Sequence, residues 1–234
     1  MKMKNKKAEQ IAAKKEHREA LKRKRRKELT LERTEPTKIE RPTILIVCEG
    51  ENTEPSYFRQ FKLSTATVIA IGEGFNTISL VNRTIQIASK NQYNKVWCVF
   101  DKDDFPSNDF NNAIHTASAN GFGVAYSNQA FEYWIILHLD DHQGGGMHRD
   151  DYDNKINDLL KPFGVSYDGK GSKIITEEIF EILDAYDDKL GKERKEVAIE
   201  RAKRNFKYHD STNPAIAESS TTVYKLVEEL LKYI

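Results

Sequence analysis

Two acidic segments hold the residues best suited to chemistry. Glu49-Gly-Glu-Asn-Thr-Glu54 follows the apolar run Thr43-Ile-Leu-Ile-Val-Cys48, and Asp101-Lys-Asp-Asp104 follows Lys95-Val-Trp-Cys-Val-Phe100. Mg²⁺ prefers oxygen ligands, keeps several waters, and is commonly held by one or two carboxylates together with substrate phosphates. Glu49, Asp101 and Asp103 can supply such a set if the two runs lie near one another. The i, i+2 spacing lets Asp101 and Asp103 approach one face of an extended or turning segment, and leaves Asp104 to point elsewhere or reach in through water.

Other acids are supporting candidates. Glu51 and Glu54 lie near Glu49, although Glu54 also suits the first turn of a helix through the helix dipole. Glu132 interrupts the apolar stretch Ala130–Leu139, where a buried carboxylate needs a partner, a proton or a metal. His138, in the same stretch, reads as a structural histidine, and His142, His148 and His209 stand without a ligand pattern. Lys170, Lys173 and Arg204 are able to contact phosphate, but surface cations usually do not mark sites. The first strand is not followed by a Gly-x-x-x-x-Gly-Lys-Ser/Thr phosphate loop, and Gly72-Glu-Gly74 is only a fragment of a dinucleotide fingerprint. A metal-dependent glycosyltransferase would use Asp101 and Asp103 but would leave Glu49-Gly50 unexplained.

The acids need a frame that carries them to one place. Apolar runs ending abruptly in carboxylates read as buried parallel strands whose carboxyl ends open into a crevice, the place where open α/β sheets bind ligands. Strand and helix then alternate. Strands are expected at 43–48, 67–71, 95–100 and 121–126. Helices are expected from Thr53 or Glu54, which would cap the first with Pro55 in its first turn, and over 77–90 and 108–120. A buried helix follows at 130–139, entered through Ser127-Asn128, then a mobile loop at 142–148 and helical segments at 151–161, 174–189, 192–206 and 219–233. The fold class is therefore α/β. Residues 41–128 form the core, residues 129–234 a helical addition packed on it, and residues 1–40 a basic helix or flexible arm.

Charge supports that division. Residues 1–40 carry 15 Lys+Arg against 7 Asp+Glu, and the remaining residues 22 against 29, so the formal net charge of +1 joins a basic arm to an acidic body. Within the arm Lys22, Arg23, Lys24, Arg25, Arg26 and Lys27 are consecutive cations able to neutralise several phosphates, which makes nucleic acid the expected partner. A solvated helix or tail is the competing reading. Thr34-Glu-Pro-Thr37 and Pro42 mark the linker. Cys48 and Cys98 lack zinc-site spacing and read as reduced core residues. An apolar signal core and a bilayer-spanning run are both missing, so no membrane is expected and the cytoplasm of a prokaryotic-type cell fits.

Three ordered motifs carry a resemblance. Ile46-Val-Cys-Glu49-Gly-Glu-Asn-Thr-Glu54-Pro-Ser-Tyr-Phe58, Val99-Phe-Asp101-Lys-Asp-Asp104-Phe105 and Ser127-Asn-Gln-Ala-Phe-Glu132-Tyr-Trp134 resemble motifs of RloB-like proteins. Thr221-Thr-Val223 and Leu226-Val-Glu-Glu-Leu230 resemble the family's closing helix. Gln129 stands where the family usually has Pro, and the closing Asn-Pro-Ser-Thr-Thr is stretched into Asn213-Pro-Ala-Ile-Ala-Glu-Ser-Ser-Thr-Thr222. RloB-like proteins are similar to the Toprim superfamily. The resemblance implies a Toprim-like, Rossmann-like, mostly parallel sheet flanked by helices. It makes Glu49 the Toprim glutamate, serving as acid/base or additional metal ligand, and Asp101 and Asp103 the Mg²⁺-binding pair, with Mn²⁺ as a substitute. It further implies phosphodiester hydrolysis of DNA or RNA in antiphage defence, beside an ATPase partner. The alternative is a non-catalytic nucleic-acid-binding or sensing subunit.

Overall fold

The computed structural model describes residues 12–23, 41–103, 106–209 and 213–234. Lys24, Arg25, Arg26, Lys27, the 34–37 part of the linker and Asp104 lie outside the described residues. Residues 12–23 form helix α1, exposed throughout, and this helix includes Lys22 and Arg23. Residues 41–234 form a separate compact unit.

The frame of that unit is a four-stranded parallel sheet in the order β2-β1-β3-β4, built from β1 (Thr43–Cys48), β2 (Thr67–Gly72), β3 (Lys95–Lys102) and β4 (Gly123–Asn128). It is a Rossmann-like α/β fold: the alternation of strand and helix implies α/β, and the resemblance to RloB-like proteins implies the Rossmann-like sheet. β1 is apolar on both faces because both are covered, and successive side chains of a strand point to opposite sides. Ile44, Ile46 and Cys48 join one cluster with Tyr57, Phe58 and Phe61 from α2 (Thr53–Arg59) and the residues just beyond it. Leu45 and Val47 join the other, with Leu80 and Val81 of α3 (Thr77–Ala88) and Phe110, Ala113 and Ala117 of α4 (Ser107–Ala119).

The strand order reverses between β1 and β3. The chain leaves β1 outward to β2, then crosses back over β1 to begin β3 on its far side. At such a switch point the connections on the two strands diverge and leave a crevice beyond their carboxyl ends.

Most of the remaining helices cover the α2 face of the sheet, while Ala215 packs into the cluster on the other face. α5 (Glu132–Leu139) is buried, with Tyr133, Trp134, Ile135, Ile136 and Leu137 in the same core cluster as α2. Around it lie α6 (Tyr152–Leu160), α7 (Glu177–Asp184), α8 (Arg194–Phe206) and α9 (Val223–Leu231). A polar seam ties α9 to the sheet. Asn128 N–H donates to the Ser220 carbonyl (2.8 Å), Thr222 N–H donates to the Tyr126 carbonyl (2.7 Å), and the Ser127 and Thr221 hydroxyls bond at 2.9 Å. Next to the seam Gln129 has φ +78°, a left-handed value that proline, held near −65°, cannot adopt.

Several boundaries differ from the sequence expectation for local reasons. α2 starts at Thr53 with Asn52 at its cap position, so Thr53 and Glu54 are not caps; the Glu54 carboxylate turns back to the Gly50 N–H instead. β4 begins two residues late because Gly121, at φ +74°, first reverses the chain after α4, and Ser127 and Asn128 consequently belong to the strand. The helix expected over 174–189 is the shorter α7. After it a hairpin of β5 (Tyr186–Asp187) and β6 (Lys192–Glu193) forms, closed by the Asp187 carboxylate accepting the Lys189 and Leu190 N–H groups and by Gly191 at φ +68°. Among the described residues no helix is long and apolar enough to cross a membrane.

Candidate functional site

The β1 and β3 tips are bonded to one another. Glu49 N–H donates to the Val99 carbonyl (2.9 Å), and the Glu49 carboxylate accepts the Asp101 N–H through Oε2 (3.2 Å). Glu49 and Asp101, far apart in sequence, thereby become neighbours at the switch point. The next turn is equally constrained. Gly50 N–H donates to Glu54 Oε1 (3.1 Å), and a Cβ on Gly50 would collide with that carboxylate. Gly72, at the end of β2, passes so close to the Gly50 and Glu51 backbone that a Cβ there would collide as well. The Glu49-Gly50 pair thus combines an acid with the bare backbone needed to seat a second one.

A cavity of about 320 Å³ collects Glu49, Glu51, Glu54, Asp101, Asp103 and Glu132, with Arg149 and Lys173 on its wall. All the acids singled out in the sequence reach it except Asp104, which lies outside the described residues. Asp103 faces Arg149, its carboxylate 3.8 Å from Nη1. Glu132, the first residue of α5, accepts the Tyr167 hydroxyl (2.7 Å), which also meets the Thr53 hydroxyl at 3.2 Å. Tyr167 is pinned by Asn157, which accepts its N–H (2.8 Å) and donates to its carbonyl (2.9 Å). Farther along the same segment, Ile175 N–H donates to the Ser56 hydroxyl (2.8 Å). The 167–175 segment is therefore stitched over α2 beside the acids.

Burial and mutual repulsion set the protonation of the cluster. Desolvation pushes Glu49 up to about 7, helped by the charges of Asp103 and Glu54 and opposed by the Asp101 N–H and Arg149. Glu54, 3% exposed, is raised by desolvation and then by the charge of Glu132, and is held back in part by the Gly50 N–H and Lys173. Asp101 is raised well above the carboxylate range by desolvation and then by Glu54, Glu132 and Glu49. Its Oδ1 is buried and, among the described residues, has no hydrogen-bond partner.

The fit to a hard cation follows from these facts. The donors are all oxygen, they repel one another, and one buried carboxylate oxygen is left unpaired, a combination that a divalent cation relieves. Among the described residues no three acids converge as a finished metal cage. Mg²⁺ does not require one, since two carboxylates with waters and a substrate phosphate suffice.

The RloB-like protein family model matches residues 44–230, which spans the whole sheet, the acidic crevice and α5 to α9. The chain belongs to the RloB-like protein family. No curated protein and no solved structure matches it.

The sequence reading missed Arg149 and Tyr167, and it discounted Lys173. Arg149 follows a Gly-rich loop and Tyr167 lies in a loop after α6, so neither sits in a periodic pattern that would mark it. Arg204 is committed elsewhere, paired with Asp141 at 2.6 Å. His138 is 2% exposed, with Nδ1 against the Trp134 carbonyl (2.9 Å) and Nε2 against the Tyr57 hydroxyl (3.4 Å). A carbonyl can only accept, so Nδ1 carries the proton and Nε2 receives the Tyr57 hydroxyl; desolvation lowers this histidine to about 4. It is a structural histidine in the core.

Proposed function

We propose that this RloB-like protein is a Mg²⁺-dependent, Toprim-type nuclease, or the nuclease subunit of a complex, hydrolysing nucleic-acid phosphodiesters in antiphage defence. The observation that carries the reading is the joining of Glu49 to Asp101 at the β1/β3 switch point, with Asp103 in the same cavity. Asp101 and Asp103 would hold Mg²⁺, with Glu49 as a further ligand or as the proton-transfer group; Mn²⁺ would be accepted by the same oxygens. When bound, the cation supplies charge compensation for the scissile phosphate.

The protein's own groups do the rest. Glu49, pushed up to about 7, is matched to taking a proton from an attacking water, or returning one to a leaving oxygen, near neutral pH. Arg149 places positive charge beside Asp103 and Lys173 places it across from Glu54, where a phosphodiester oxygen gains from either. Glu132, held by the Tyr167 hydroxyl, would be a further oxygen on the cavity wall. The basic segment containing Lys22 to Lys27 would add salt-sensitive attraction to DNA or RNA. An ATPase partner and a cytoplasmic location complete the proposal.

Purified protein is incubated with single- and double-stranded DNA and RNA in Mg²⁺, with and without its natural partner. Cleavage by wild type that disappears in Asp101→Ala is expected. If wild type and variant behave alike in every arm, the nuclease reading fails; if both then bind without cutting, a binding or sensing subunit takes its place.

A further inference from the structure

We propose that a second cavity, beside the carboxylates, is an anion subsite for a backbone phosphate of a nucleic-acid strand, adjacent to the one at the acids. The inference rests on the nuclease reading for its ligand class, and its own evidence is the second cavity with Tyr152 and Lys170. The second cavity, about 280 Å³, shares Glu132, Arg149 and Lys173 with the first, so a strand leaving one passes directly into the other. Tyr152, Tyr167 and Lys170 stand on its other walls.

Two of its three acids are engaged, and its cations are Arg149, which also faces Asp103, with Lys170 and Lys173. Glu132 accepts the Tyr167 hydroxyl and Asp153 Oδ1 accepts the Gly169 N–H (3.1 Å), while Asp150 points its carboxylate into solvent. Lys170 and Lys173 are exposed at the rim, on a loop wound around Asp168, whose carboxylate accepts the Gly171 and Ser172 N–H groups at 2.9 and 2.8 Å. Lys173 itself is held at φ +52°, a left-handed conformation that costs a non-glycine residue energy and that the surrounding bonds impose. An independent sign of a ligand is Tyr152. It is 1% exposed, and its buried hydroxyl has no hydrogen-bond partner among the described residues. A phosphodiester offers only acceptors, while the Arg149 fork, two ammonium groups and a phenol offer donors.

The test uses the full chain and three variants, Arg149→Gln/Lys173→Gln, Tyr152→Phe and Asp101→Ala. The probes are fluorescein-labelled dT12 and rU12, read by anisotropy in EDTA over a salt series, with inorganic pyrophosphate as competitor. The double variant should bind the oligonucleotide about tenfold more weakly, because each charge-assisted bond removed is large on this scale. Its log–log salt slope should flatten by roughly one to two units. Tyr152→Phe, which removes only a hydroxyl, should weaken binding in the same direction. Equal affinities and slopes in wild type and both subsite variants overturn the proposal. Loss of pyrophosphate binding without loss of oligonucleotide affinity overturns it too, by assigning the cavity to free phosphate. If no nucleic acid is cleaved with Mg²⁺ yet Tyr152→Phe, whose side chain lines only the second cavity, still loses oligonucleotide affinity, the subsite stands and the nuclease reading falls. If cleavage is abolished by Asp101→Ala while the subsite variants bind as wild type does, the nuclease reading stands and the subsite falls.

Discussion

Replacing Glu49 by Gln should make the metal-free protein more stable, by a margin that opens as pH rises above the ordinary 4.5 and is largely in place once pH passes about 7. Glu49 rises from an ordinary 4.5 to about 7 on folding. A carboxyl whose folded value is raised gives its full stability below the unfolded value and loses it as pH climbs toward and through the folded one. The full shift corresponds to about 3 kcal/mol, and the part of the side chain left in water reduces this to ~2 kcal/mol. Gln keeps an oxygen for the Asp101 N–H and removes the charge. Urea unfolding in EDTA should therefore give superimposable midpoints at pH 4 and a widening advantage for Glu49→Gln from pH 5 to 8.5. Mg²⁺ should then stabilise wild type at pH 8.5 by about 2.7 kcal/mol at a hundredfold excess over its dissociation constant, and the variant by less. A pH-independent difference, or a variant less stable at pH 8.5, would refute the electrostatic account of this site.

Other perturbations probe separate parts of the molecule. His138 falls from 6.5 to about 4 on folding, so stability should decline as pH drops from 6.5 toward 4, and His138→Gln should remove up to ~3 kcal/mol of that decline in acid unfolding curves. Gln129→Pro should cost ~3 kcal/mol or more, since φ +78° is closed to proline and its N–H bond to the Lys102 carbonyl disappears; Gln129→Gly should be neutral or stabilising in thermal melts. Deleting residues 1–36 should leave the circular dichroism melt of the remaining unit unchanged while weakening nucleic-acid binding and flattening its salt dependence by ~0.9 for each phosphate no longer neutralised. An unchanged salt slope would assign that segment to a protein partner.

Most of the sheet was legible because its strands are locally explicit. The Thr43–Cys48 run is long enough, β-branched enough and abruptly enough ended to specify a buried strand, and the observed bounds are those expected. Asn76, which caps α3 through the Ser79 N–H (3.2 Å), ends its loop in the same local way. The hairpin of β5 and β6 was not legible. Its two-residue strands are too short to show alternation, and the turn is made by one carboxylate and one glycine inside a segment that otherwise reads as helix. The pinning of Tyr167 by Asn157 was equally hidden, since such bonds have no period.

The amino-acid sequence alone determined which acids stand at strand ends, that Gly50 follows the first of them, and that a carboxylate interrupts the apolar 130–139 segment. These are properties of a few consecutive residues, whose side-chain types and backbone freedom act within a turn or a strand. Tertiary structure decided that β1 and β3 are neighbours, which puts Asp101 on Glu49, and that α5 and two later segments bring Glu132, Arg149 and Lys173 to the same crevice, with Tyr167 bonded to Glu132 beside it. Strand order depends on crossovers that balance burial on both faces of the sheet, a condition spread over the whole fold. The raised protonation of the acids follows from it, because carboxylates repel strongly only once folding has moved them together and out of water.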